Sequence, residues 1–125
     1  MKFIERQIVF YENHFMEFFL AQQPAVQEKI EFVLSLVRQV ERVPQKFLKH
    51  IEGADGIFEI RIELGSNIFR VFCCFDEGHL VVLFNGFQKK TQKTPMKMIE
   101  KATQLKQSYF EQKTQSNGTG RIKKS

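Results

Sequence analysis

The chain has no tryptophan, two tyrosines, two cysteines, three histidines and three prolines in 125 residues. Each shortage excludes something. The two cysteines, Cys73 and Cys74, are adjacent, and neighbours on a strand point to opposite faces, so a disulfide between them would be badly strained. They are expected to be reduced core thiols, which excludes a disulfide-stapled scaffold. His14, His50 and His79 are scattered singly, and no Cys or His cluster has metal-ligand spacing, so no metal site is expected. Near the start, Glu5, Arg6 and Gln7 interrupt the run of about 7 to 15 apolar residues that a signal peptide needs. Nothing approaches the roughly 18 apolar residues of a membrane span. A cytoplasmic protein is expected. Seven glycines and three prolines are too few for a collagen-like or low-complexity chain.

What the chain does have is phenylalanine, 14 of them, within a 42% hydrophobic composition, so the core is built from plain aromatic rings. Its length suits one domain. The net charge of +5 is unevenly placed: Met1 to Phe84 holds nine Lys and Arg against twelve Asp and Glu, whereas Asn85 to Ser125 holds ten against two. Any basic partner surface therefore belongs to the last third, and a polyanion becomes a plausible ligand class.

Lys2 to Tyr11 is rich in β-branched and aromatic residues and predicts a strand. From Glu12, Phe15, Phe18 and Phe19 recur at helical spacing. Pro24 suits the first turn of a second helix, whose stripe of Val26, Ile30, Val33, Leu34, Val37 and Val40 ends by Pro44. Gln45 to Gly56 is irregular, with Phe47, Leu48 and Ile51 expected to pack as a short turn. Phe58, Ile60, Ile62 and Leu64 alternate with Glu59, Arg61 and Glu63, the period of a half-buried strand. Gly65-Ser66-Asn67 signals a hairpin turn into a strand over Ile68 to Phe75, and Asp76-Glu77-Gly78 signals a second turn into Leu80 to Phe84. Thr94-Pro95 opens a third helix that carries Met98, Ile99, Ala102, Leu105 and Tyr109 inward. The order β-α-α-β-β-β-α defines an α+β fold, with a domain over residues 1–112 and a basic tail of flexible composition over 113–125.

Few polar residues are expected to face out from this sheet: Glu59, Arg61, Glu63 and Arg70, with Lys89, Lys90 and Lys93 just past its last strand. If Ser66 and Asn67 form a two-residue turn, Glu63 sits opposite Arg70, and Arg61 lies opposite Phe72 on the same face. A three-residue turn would place the two arginines on opposite faces. On spacing alone, a solvated face with cross-strand ion pairs accounts for these residues more readily than a binding site does. The basic segment from Lys89 to Lys93 precedes the positive end of the third helix, a setting that suits phosphate.

Three strings carry a resemblance: Gly56-Ile-Phe-Glu-Ile-Arg61, Ile68-Phe-Arg-Val-Phe72, and Leu83-Phe-Asn-Gly-Phe-Gln-Lys-Lys-Thr-Gln-Lys-Thr-Pro95. Together, in this order, they resemble the signatures of the RelE/ParE toxin superfamily, and most closely its phage-derived HigB-like branch, over residues 1 to 112. The resemblance implies a RelE-like sheet with helices packed on one face. It also implies a type II toxin that cuts mRNA in the ribosomal A site without metal or cofactor, and an antitoxin partner of helix-turn-helix type encoded next to it. In such toxins the RNA 2′-hydroxyl attacks the adjacent phosphate and leaves a cyclic phosphate. That chemistry needs a base, cations around the phosphorane and an acid for the leaving oxygen. Carried over by motif, Arg61 and Arg70 fall on the scissile phosphate, Glu59 is the candidate base, and Lys90 joins the catalytic set. Lys89, Lys93 and Lys97 are candidates to hold RNA. The chain departs from the pattern in three ways: Glu59 stands where RelE relatives often have lysine, Asn85 stands where many HigB-like toxins have histidine, and no aromatic residue is identified to stack a base, Tyr109 and Tyr11 reading as packing residues. The same fold hosts ParE-like gyrase inhibitors and could host an inactive antitoxin-binding remnant.

Overall fold

The computed structural model describes residues 2–118. Strands β1 (Gln7–Phe10), β2 (Leu48–His50), β3 (Phe58–Leu64), β4 (Asn67–Asp76) and β5 (Leu80–Lys89) form one sheet in the order β1-β5-β4-β3-β2. Helices α1 (His14–Leu20), α2 (Pro24–Gln39) and α3 (Met96–Gly118) complete an α+β fold of the RelE-like kind. All neighbouring strands are antiparallel except β1, which runs parallel to β5.

The helices occupy both faces of the sheet, not one. α1 and α2 cover the face that carries Ile60, Ile62, Phe69, Val71, Cys73 and Leu83. α3 lies on the opposite face, where Met98, Ile99, Ala102, Leu105 and Tyr109 pack with Phe72, Cys74, Val82 and Phe84. The alternating strands supply an apolar set to each side, so both need a cover. Cys73 and Cys74 consequently fall in different cores as free thiols. Burial raises both, Cys74 to about 11, so neither ionises near neutral pH.

Several boundaries differ from expectation. Residues 3 to 6 run along the end of α2 before the chain enters β1: Phe3 bridges Val40, and the Ile4 and Arg6 amides donate to Gln39 and Arg38 carbonyls. The Arg6 guanidinium donates to the carbonyls of Val37, Val40 and Glu41 at 2.6–2.7 Å, which satisfies groups that a helix C-terminus leaves unpaired. α2 therefore stops at Gln39, before Pro44 is reached. The segment expected to be irregular contains β2, three residues paired to β3. β5 continues through Lys89, because its ladder with β4 resumes beyond a bulge at Phe84-Asn85 opposite Phe72. Gly86 lies in this extension under α1, where a Cβ would come within 2.5 Å of the Phe18 ring. The boundary expected at residue 112 falls inside α3, and residues 119–125 lie outside the described residues.

Candidate functional site

The hairpin between β3 and β4 decides what the site contains. Its two-residue turn is Gly65-Ser66, not Ser66-Asn67, with Gly65 at φ +62° as the first central residue of a primed turn requires. Leu64 then pairs with Asn67, and Arg61 pairs directly with Arg70, where the expected partner was Phe72. The shift is by two residues, so the parity holds and both arginines share the α3 face. Arg70 pairs across its other edge with Phe87, and Lys89, paired with Ile68, is a diagonal neighbour on that face.

Glu59 joins these cations. Its Oε2 lies 3.4 Å from Arg61 Nε and its Oε1 3.4 Å from Arg70 Nε. Glu59 is 6% exposed and Arg70 2%, so both are buried, contrary to the expected outward-facing position; Arg61, with 28% of its side chain exposed, and the half-buried Lys89 reach the surface. The reason is position: Arg70 is in the central strand, hemmed by Arg61 and Phe87. Burial lowers the Arg70 guanidinium below its usual value, Glu59 opposes this and Arg61 adds to it. Lys89 is lowered likewise, first by burial and then by the charge of Arg70.

The ion pairs are close in distance but poorly directed. Glu59 Oε1, Arg61 Nε and Arg70 Nε all lack a hydrogen-bond partner among the described residues. Nη1 of Arg61 donates to the Gln45 carbonyl at 3.4 Å, and Nη1 of Arg70 to the Phe69 carbonyl at 3.1 Å. Buried polar atoms are normally paired, so three orphans in one cluster set it apart from a complete ionic network. Two arginines and Lys89 against one carboxylate leave the cluster net positive, and guanidinium forks are of a shape that suits phosphate oxygens.

Lys90, Lys93 and Lys97 are exposed and stand outside this cluster, Lys90 just past β5, Lys93 in the following loop and Lys97 in the first turn of α3. A groove of about 610 Å³ between the hairpin turn and the end of β5 is lined by Ser66, Asn67, Lys89, Lys90, Thr91 and Gln92, so Lys89 belongs to both cluster and groove. A groove of similar size beside α3, about 660 Å³, is lined by Asp55, Lys106, Phe110 and Glu111 among others and shares no residue with the cluster. Asn85 is buried, and its amide donates to the Met98 carbonyl at 3.2 Å, which ties it to α3. The histidines lie elsewhere: His14 pairs with Glu12, His50 packs edge-on to Phe58, and His79 occupies the turn after β4. Among the described residues, no group of three or more His, Cys, Asp or Glu could hold a metal ion. No described helix is long and apolar enough to cross a membrane. Glu59 and the burial of Arg70 are the features that strand alternation alone misplaces, since it assigns both to solvent.

The fold is that of a RelE-like α+β protein, with a cationic Arg61–Glu59–Arg70 cluster on one sheet face. Residues 17–107, nearly three quarters of the chain, match the family described as Phage derived protein Gp49-like (DUF891). The chain belongs to that family, which is of the RelE/HigB-like toxin type. No curated protein matches it.

Proposed function

We propose that this protein is the toxin of a type II toxin–antitoxin pair and cleaves mRNA on the ribosome. The observation that carries the reading is the Arg61–Glu59–Arg70 cluster, cationic, short of hydrogen-bond partners and open to the surface at Arg61, with Lys89 beside it. In the proposed reaction the 2′-hydroxyl oxygen bonds to the adjacent phosphorus and the P–O5′ bond breaks. The hydroxyl proton passes to a base, the 5′-oxygen takes one from an acid, and a cyclic phosphate remains. Arg61 and Arg70 neutralise the charge that grows on the phosphorane, a preorganised contribution worth about 10²–10³ in rate per donor. Lys89 and Lys90 hold the flanking backbone, with Lys93 and Lys97 extending the basic track toward α3. A carboxylate here can accept the hydroxyl proton or hold the arginines. The partner is a cognate antitoxin, of helix-turn-helix type and encoded by the adjacent gene.

Adding the purified protein to a cell-free translation extract tests this. Translation should stop, with message cut inside the reading frame only when ribosomes are present. Inhibition of gyrase supercoiling with translation untouched would replace the reading by a ParE-like one. Absence of growth arrest on induction would indicate an inactive remnant.

A further inference from the structure

We propose that Glu59 is a positioning residue that holds Arg61 and Arg70 ready for phosphate, and that it is not the base; this rests on the function proposed above. Arg61 and Arg70 are direct ladder partners, and like charges placed opposite one another destabilise a sheet. Glu59 precedes Arg61 by two residues on the same face and is diagonal to Arg70; Glu63 holds the mirror position beyond Arg61 and adds its charge to Arg70, but among the described residues only Glu59 comes within ion-pairing distance of both guanidiniums. It divides its oxygens, one toward each Nε. Nη1 of each guanidinium goes to a backbone carbonyl and Nε of each faces Glu59, so both planes are fixed from two sides. Two guanidiniums held side by side on opposed strands suit the oxygens of one phosphate. Each carboxylate oxygen faces a guanidinium, a placement that suits holding the arginines rather than taking a proton from a ribose hydroxyl.

The two roles predict opposite signs. Removing a negative charge beside a phosphate should, by Coulomb attraction alone, tighten anion binding. Loss of a positioning residue should weaken it. The test uses the full chain and a single-stranded oligonucleotide with 2′-deoxy sugars, which cannot be cut, followed through the arginine Nε–H signals and by affinity. Binding should move the Arg61 and Arg70 signals in the unaltered protein. Glu59→Gln should bind about 10-fold more weakly, and in an Arg61→Ala background that loss should fall below about 2-fold, because contacting residues are coupled. Cleavage by Glu59→Gln should slow with the shape of its pH profile retained. Equal or tighter binding by Glu59→Gln, or loss of one limb of the pH profile, would overturn the inference and leave the proposed function standing. If Glu59→Gln does not fold, Glu59→Asp, which keeps the charge but draws it back by one methylene, should still bind more weakly; unchanged binding overturns the inference. Arginine signals in the unaltered protein that ignore the oligonucleotide would overturn the proposed function, and this inference with it.

Discussion

The α3 face of the sheet holds two ionic networks, and they are built differently. At the end of β4, Asp76 accepts from Tyr109 Oη at 2.6 Å, from Lys113 Nζ at 2.9 Å to both oxygens, and from the Glu77 amide at 2.7 Å. Its side chain is 4% exposed, and burial alone would raise it, but these bonds outweigh burial and hold it below the usual carboxylate range. Around Glu59 the contacts are longer, and three polar atoms are orphaned. Both networks are buried beneath the same sheet face, yet one is complete within the protein and the other is not. A carboxylate satisfied by its own fold is a structural tie. One that leaves donors unmet adds less to stability, and it is the cluster proposed above to meet phosphate.

The largest effect that can break this contrast is Arg70→Ala. Truncating a buried charge partner should destabilise the protein by roughly 3–5 kcal/mol in chemical denaturation. Where the variant still folds, ribosome-dependent cleavage should fall by at least about 10²-fold, and full cleavage would remove Arg70 from the site. Arg61→Ala separates the two consequences: Arg61 is partly exposed, so stability should change by less than about 1 kcal/mol while cleavage drops by a similar factor. Asp76→Asn should do the reverse, costing about 1–3 kcal/mol with cleavage per folded molecule unchanged. The pH dependence follows the same division. Because Asp76 is lowered on folding, its contribution is fully present above its unfolded value of about 4 and is lost as pH falls through the lower folded value. An Asp76→Asn variant should lack that share of the acid dependence in a urea titration series. The smallest effects belong to Lys90, Lys93 and Lys97: each change to Ala should weaken RNA binding evenly across sequences and flatten the log–log salt slope by about 0.7.

The elements governed by local pattern were legible. The apolar stripe of α2 and the alternation of β3 put Val26, Ile30, Val33, Ile60 and Ile62 in the core where they are found. Features set by distant partners were not. β2 is three residues long and exists because β3 offers it an edge; nothing in Leu48-Lys49-His50 alternates. The bulge at Phe84-Asn85 lets β5 pair five residues further than its apolar run suggests, which brings Lys89 into the sheet. The second helical layer also escaped notice, since period-two patterning shows that a face is apolar without saying which helix covers it. In the site, the residue types were readable from the motifs. Register and burial were not, because a turn placed one residue early re-pairs the whole hairpin and because a charged residue on a central strand can be walled in by its neighbours.

The parallel pairing of β1 with β5 has a consequence for how this molecule is made. Gln7 meets Leu80 and Phe10 meets Leu83, so the partners are more than seventy residues apart. Chains grow from the N-terminus, so β1 emerges first and waits for a partner that is made late. Such long-range contacts are among the slowest to form. Lys89 lies at the far end of that same late strand, adjoining the arginine pair. The partner of β1 and the lysine that adjoins the arginine pair are therefore both made late, so a protein proposed to cut mRNA on ribosomes lacks its full sheet and cluster for most of its own synthesis.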